Sequence, residues 1–284
     1  MIRDQFEIAG GTVIGTDHAK AGKNNQDAFC WIASDNAIVA VVTDGCSDAP
    51  HSEVGAKIGA RIIAETVSRR VENYNNSITA LLPTPYPPYP FWENTYSEIL
   101  SESGNIVTAL GVNKKQIILD YFLFTVVGVL ITPWTTIIFS IGDGMIFLNT
   151  ESEKNGPYPN NAPPYLGYKL LPKTPTSMDP EMLQFKILRA IDTKDPDSIL
   201  IGTDGVENLV SFAEKNMPGK SEKVGPISQF WQDDRYFKNP DMIRRKLALT
   251  NRTVTKIDWE SGKAIKEHGL LPDDTTLVVI RRKK

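Results

Sequence analysis

Five aspartates stand at the ends of strand-like segments. Asp27 lies between a Gly/Asn/Lys loop and a strand, Asp44 ends AIVAVVT, Asp143 ends TTIIFSI, Asp204 ends SILIGT and Asp273 precedes TTLVVI. A carboxylate at the edge of a buried strand is poorly solvated unless something positive faces it. Strand ends of one sheet can bring such groups within a few ångströms. There they repel and raise one another's pKa unless a cation neutralises them. Oxygen donors without a His/Cys set favour a hard ion, Mg²⁺ or Mn²⁺. Gly45, Gly144 and Gly205 each follow one of these aspartates, and glycine allows a sharp turn and a close approach of its carbonyl to a metal. One Asp-Gly alone is an ordinary turn dipeptide. Three, each after an apolar β-run, ask for a further reason.

Positioning such groups takes buried strands, and the sequence has them. Phe29 to Ile32 and Ala37 to Thr43 read as strands, the second an unbroken apolar run expected to be buried on both faces. Tyr121 to Gly142 carries no formal charge and is long enough to span a bilayer. Its β-branched content and the central Thr132-Pro133-Trp134 predict instead two buried strands, FLFTVVGVLI and TTIIFSI, joined by a turn. SILIGT and TTLVVIRR are further strands. His51 to Asn73 is predicted helical, with rows Val54/Ile58/Ile62 and Ile63/Val67/Val71, Ser52 as its cap and Glu53 in its first turn. Helices are also expected around Trp92 to Ser103 and Asp241 to Leu249. LPTPYPPYPF, residues 82–91, reads as a stiff surface loop and is the place where a partner could make contact. With no internal repeat and no clean linker, the 284 residues are expected to form one mixed α/β domain, 1–284, with loop insertions near 82–91 and 211–265.

Composition narrows the function classes. Lys+Arg is 31 and Asp+Glu is 34, a formal net charge of −3, which argues against nucleic-acid binding through bulk positive charge. Hydrophobic content of 41% and charged content of 23% exclude wholesale disorder, collagen and coiled coil. The only cysteines, Cys30 and Cys46, make neither a disulfide framework nor a four-ligand zinc site and are expected to be buried apolar thiols. With no apolar signal core at the start, a cytoplasmic protein without a membrane role is expected. Gly-Gly-Thr-Val-Ile-Gly and Ala-Gly-Lys-Asn-Asn lack the Lys-Ser/Thr of a nucleotide-binding loop.

NNQDAF (24–29), VVTDGCSDAPHSEVGA (41–56), FSIGDGMIFL (139–148), LIGTDGVENLV (200–210) and PDDTTLVVI (272–280) together resemble the successive motifs of the protein phosphatase 2C family, the metal-dependent Ser/Thr phosphatases, in a bacterial-type version. The resemblance runs across nearly the whole chain. It implies an α+β fold, a four-layer α-β-β-α sandwich of two antiparallel sheets flanked by helices. It also implies a pair of Mn²⁺ or Mg²⁺ ions in a cleft at one end. Carried over by position, Asp44 bridges both ions, the Gly45 carbonyl joins the second ion's shell, and Asp204 and Asp273 hold the first. Asp27 is an inner or outer ligand of the second. Asp143 matches an aspartate expected to be structural, and Asp274 stands where the family often has Asn. The implied activity is hydrolysis of phosphoserine and phosphothreonine in a phosphoprotein substrate, by direct attack of a water bridging the two ions.

The chain departs from the family at three places. Gly22 stands where many members have a phosphate-gripping Arg, so Lys23 is the candidate phosphate ligand and Lys20 its alternative. Cys46 stands where animal members have a His, leaving His51 or His18 as candidate general acids. A third-metal aspartate has no clear counterpart, Asp179 being the nearest. These departures keep open an alternative: a weak or inactive phosphatase fold serving as a binding or regulatory module.

Overall fold

The computed structural model describes residues 1–78, 89–159, 162–175, 178–260 and 262–283. Among these described residues twelve strands follow in chain order: β1 (Phe6–Val13), β2 (Asp27–Ala33), β3 (Ile38–Gly45), β4 (Phe124–Ile131), β5 (Thr135–Ile141), β6 (Gly144–Leu148), β7 (Glu151–Asn155), β8 (Lys186–Asp192), β9 (Ser198–Gly202), β10 (Val254–Asp258), β11 (Lys263–Glu267) and β12 (Thr275–Arg282). Two five-stranded antiparallel sheets, β1-β12-β9-β6-β7 and β2-β3-β4-β5-β8, pack face to face, and β10-β11 forms a separate hairpin. This is the expected α+β sandwich.

The two-residue period of a strand explains the layers. Along β3, Ile38, Ala40 and Val42 face the opposite sheet, where they meet Ile146, Ile201 and Val278. Val39 and Val41 face the other way, onto the helices. In the second sheet Ile199 and Ile201 point into the sandwich, whereas Leu200 and Leu277 point out toward Leu209, Ile243 and Leu247. A strand covered on both faces has no polar face to alternate, which is why AIVAVVT reads as a continuous apolar run. The uncharged stretch 121–142 is β4, the turn at Pro133 and β5. Among the described residues no helix is long and apolar enough to cross a membrane.

The outer layer on the β2-β3-β4-β5-β8 sheet is made by the helices Ser52–Ile78 and Tyr89–Leu110. The row Ile63/Val67/Val71 is buried as predicted, but Val54 is 38% exposed. The face that meets the sheet is carried further by small residues, Gly55, Ala56, Gly59 and Ala60. They allow a close approach: a Cβ on Gly55 would lie 1.7 Å from the Tyr121 carbonyl oxygen, and one on Gly59 would lie 2.3 Å from the Phe124 ring. Gly55→Ala therefore forces the helix off the Tyr121–Phe122 backbone and is expected to cost about 3 kcal/mol, the upper part of the overpacking range. Urea denaturation checks this, and an unchanged midpoint would contradict the contact. Ser52 does not cap the helix; it is the helix's first residue, and its hydroxyl donates to the Cys46 carbonyl instead.

Of the Pro-rich stretch 82–91, residues 82–88 lie outside the described residues, so the expected partner contact there does as well. Phe91 is no loop residue: it is buried in the Tyr89–Leu110 helix, edge-on to Trp92. In 211–265 the structure has short helices, the Met242–Thr250 helix packed outside β1, and the β10-β11 hairpin.

Candidate metal centre

The antiparallel register gathers the strand-end aspartates at one end of the sandwich. Asp27 opens β2 and lies directly opposite Asp44 near the end of β3, and Asp44 in turn lies opposite Thr125 near the start of β4. Asp143 occupies the turn between β5 and β6. Asp204 follows β9 and Asp273 precedes β12, whose ends are joined where Thr203 N–H donates to the Thr276 carbonyl at 3.0 Å. The Thr203 hydroxyl crosses between sheets, donating to Asp27 Oδ2 at 2.8 Å while accepting from Thr276 N–H at 3.1 Å. Gly45 packs where no side chain fits, since a Cβ would lie 2.8 Å from both the Gln26 carbonyl oxygen and Ser52 Oγ.

Asp44, Gly45, Cys46, Asp143, Asp204 and Asp273 line one cleft of about 180 Å³, together with Ser47, Asp48, Thr125, Pro163 and Tyr165. None of these lining residues is Lys, Arg or His. Asp27 lies beneath, 2% exposed. Burial first, then the charges of Asp27, Asp204, Asp273 and Asp143, push the Asp44 carboxyl well above the usual carboxylate range. Asp27 is pushed up likewise, by burial and then by the nearby carboxylate of Asp274. Burial and Asp204 raise Asp143 to about 6 and also raise Asp273.

The residues present fit hard divalent cations. The buried Oδ1 atoms of Asp27 and Asp204 have no hydrogen-bond partner. A buried carboxylate oxygen left unpaired is costly, and a divalent ion removes that cost while reversing the repulsion. Asp44, Asp204, Asp273 and the Gly45 carbonyl are hard oxygen donors on the cleft wall, with Asp27 behind Asp44.

Asp274 is used differently. It is 2% exposed, and its two carboxylate oxygens accept from Gly15 N–H and Gln26 N–H, both at 2.6 Å, stapling the N-terminal loop to the start of β12. His18 lies beside it, with Nδ1 3.0 Å from Asp274 Oδ2 and Nε2 3.7 Å from Asp273 Oδ1. His18, Asp273 and Asp274 are close enough together to share an ion.

Lys23 and His51 do not line the acidic cleft. Both border an adjoining groove that shares Ser47 and Asp48 with it. Lys23 Nζ donates to the Ser47 carbonyl at 2.5 Å, and the His51 ring lies 4.9 Å from that of Tyr121. Lys20 pairs with Asp17 at 2.9 Å. Asp179 borders a separate groove near Tyr158, and its Oδ1 accepts from Glu181 N–H. Motif spacing did not single out Tyr165 or Thr203. Tyr165 lies in a Pro/Asn/Tyr loop and Thr203 is one more strand threonine; only tertiary pairing gives them a place at the site.

A search of curated proteins by sequence found no match. Among solved structures, the serine/threonine phosphatase Stp1 from Staphylococcus aureus is similar over 98% of this chain and 96% of its own, with 12% sequence identity and a TM-score of 0.51. A bacterial serine phosphatase is similar over 98% of each chain, also at 12% identity and a TM-score of 0.51. At that identity the likeness is one of fold, and it is the fold described above. Residues 14–238 match the family model described as Protein phosphatase 2C. With most of its length inside that match and the same two-sheet fold, the chain belongs to the protein phosphatase 2C family.

Proposed function

We propose that the protein is a metal-dependent phosphoprotein phosphatase acting on phosphoserine and phosphothreonine, with 1–284 working as a single domain. The observation that carries this is the meeting of Asp44, Asp143, Asp204 and Asp273 in one cleft with no basic side chain among its described lining residues, above unpaired buried carboxylate oxygens. Asp44 would bridge two Mn²⁺ or Mg²⁺ ions, Asp204 and Asp273 would hold one, and Gly45 and Asp27 would complete the other. When bound, such ions neutralise phosphoryl oxygens and supply an acidified water for attack on phosphorus. The protein's own share is placement. The Asp27–Asp44 register and the Thr203 bridge keep the carboxylates fixed, so little reorganisation accompanies the reaction. Lys23, one loop away, would bind phosphate or the substrate main chain from the adjoining groove, and His51 on the same groove would give a proton to the leaving seryl or threonyl oxygen.

Purified protein should release phosphate from phosphoserine and phosphothreonine peptides and from an aryl phosphate when given Mn²⁺ or Mg²⁺, and lose that activity in chelator. Turnover unaffected by chelator would refute the assignment. One observation favours the second reading, a regulatory module: among the described residues the cleft wall has no basic group for phosphate, and Lys23 is engaged with Ser47. Calorimetric titration separates the two, because a module of that kind would show no tight divalent site and an enzyme would show two.

A further inference from the structure

At the edge of the acidic cleft the short helix Thr16–Lys20 meets the residues that lead into β12. Backbone contacts hold the two segments together. Thr16 N–H donates to the Leu271 carbonyl at 2.9 Å and Asp17 N–H to the Pro272 carbonyl at 3.0 Å. Asn251 clamps both, its side-chain amide donating to the Ile14 carbonyl at 2.6 Å and accepting from Leu271 N–H at 2.8 Å. No side chain fits between them at Gly15, where a Cβ would lie 2.4 Å from the Pro272 carbonyl oxygen. This frame sets His18 against Asp273 and Asp274, which come from the other end of the chain.

Three observations at this junction point to a cation. One possible ligand atom from each of His18, Asp273 and Asp274 lies within 4.8 Å of the other two. The His18 side chain is 12% exposed, and its Nδ1 is buried without a hydrogen-bond partner. Asp274 Oδ2 stands 3.0 Å from that nitrogen, so the contact has the length of a hydrogen bond but not its direction. Two donors of one ion stand in this way, about 3–3.5 Å apart with their lone pairs aimed at a common point. The charges agree. Asp274 is 2% exposed, and among the described residues neither it nor Asp273 is paired with a lysine or arginine. Each Asp274 oxygen accepts one backbone N–H and keeps a second lone pair for an ion.

We propose that His18, Asp273 and Asp274 form a further divalent-cation site beside the oxygen cleft, one that takes the borderline ions Zn²⁺ and Co²⁺ ahead of Mg²⁺. Asp273 lines the cleft, whereas His18 and Asp274 are not among its lining residues. The site therefore shares Asp273 with the ion pair assigned to the cleft and does not depend on that pair. One imidazole nitrogen with two carboxylate oxygens is a three-ligand set that leaves a position for water. The nitrogen is what separates Zn²⁺ and its neighbours from Mg²⁺, which prefers oxygen. Because Asn251 and the backbone contacts at Thr16 and Asp17 already fix both segments, the ligands need little rearrangement to close on an ion.

The test uses the full-length chain labelled with ¹⁵N-histidine, as wild type, His18→Gln, His268→Gln and Asp44→Asn, with circular dichroism to check that each is folded. Ring-nitrogen NMR follows the three histidines as Zn²⁺ is added. One imidazole is expected to move to the metal-bound position in wild type, His268→Gln and Asp44→Asn, and that signal should be missing in His18→Gln. By calorimetry in the Asp44→Asn background, adding His18→Gln should weaken Zn²⁺ binding at least about tenfold. In the otherwise wild-type chain His18→Gln should change Mg²⁺ affinity by less than about twofold. Zn²⁺ bound by wild type with every imidazole free, or a metal-bound signal that persists in His18→Gln, overturns the site and makes His18 a plain ion-pair partner of the two aspartates. Loss of the signal in Asp44→Asn would assign His18 to the Asp44 pair and overturn a separate site. Failure of Zn²⁺ to bind overturns this site, whereas failure of Mg²⁺ and Mn²⁺ to bind overturns the cleft reading instead.

Discussion

Asp44→Asn is expected to lower Mn²⁺- or Mg²⁺-dependent phosphate release by on the order of 10³-fold or more, the scale of losing a principal electrostatic group of an active site. The same substitution should make the metal-free protein more stable. Asp44 is crowded by Asp27, Asp143, Asp204 and Asp273, and burial together with these charges already drives its carboxyl toward the neutral form. Asn occupies the same volume without charge. The gain should be roughly 1–2 kcal/mol, within the range commonly released by neutralising a strained functional site, or about 2–6 °C in Tm for a chain of this size. Phosphate release at saturating Mn²⁺ and thermal unfolding in chelator measure the two halves. Equal turnover would remove Asp44 from the centre. A lowered metal-free Tm would mean that its carboxylate is held by partners the structure does not show.

The opposite signs of these effects bear on what a sequence can reveal. TTIIFSI and TTLVVIRR coincide residue for residue with β5 and β12, because β-branched runs buried on both faces and bounded by polar turns leave little choice of conformation. The β7 segment ESEKN, β8 KILRAID and the β10-β11 pair VTKID and KAIKE gave no such signal. β7 and β8 are each an edge strand of their sheet, and β10-β11 is a largely exposed hairpin, so their charged residues are where solvent and protection against edge pairing put them. In the Ser52–Ile78 helix the branched row Val54/Ile58/Ile62 was prominent by periodicity, yet glycine and alanine make the closest approach, a matter of backbone distance that hydropathy does not encode.

At the site, the aspartates were legible because carboxylates at apolar strand ends conflict with burial, and five ordered motifs gave that conflict a shared place. What lies between them was not legible. The Thr203–Asp27 bridge joins residues 176 positions apart, and Tyr165 reaches the cleft from a loop with no spacing rule. Lys23 and His51 were close enough in sequence to be candidates, but both border the neighbouring groove instead. Local chemistry identified which residues conflict with their surroundings; only register decided which of them meet.

The metal-free protein is also expected to lose stability as pH rises from about 4 toward 7, and divalent ions should abolish that loss. Asp27, Asp44, Asp143 and Asp273 all titrate above the ordinary carboxylate value of 3.8 in the folded chain, Asp143 at about 6. Between the unfolded and folded values the native state therefore binds more protons than the unfolded one. Stability then falls with rising pH, and the fall begins near 3.8 and is complete for Asp143 just above 6. For Asp143 alone, the interval from 3.8 to about 6 corresponds to roughly 3 kcal/mol before any relaxation of the cleft. Exposed carboxylates lowered by nearby lysines and arginines, such as Asp17 and Asp241, act with the opposite sign at the acid end of the range. Bound Mn²⁺ or Mg²⁺ holds the carboxylates ionised, so their protonation no longer favours the folded state, and adds stability that reaches about 2.7 kcal/mol at a hundred times Kd. Thermal unfolding between pH 4.5 and 7.5, in chelator and in Mn²⁺, should give the steepest decline below about pH 6 without metal, where Asp143 still contributes, and a flat or rising profile with it. A flat profile in chelator would mean that these carboxylates are solvated or paired rather than crowded, and the divalent centre would lose its physical basis.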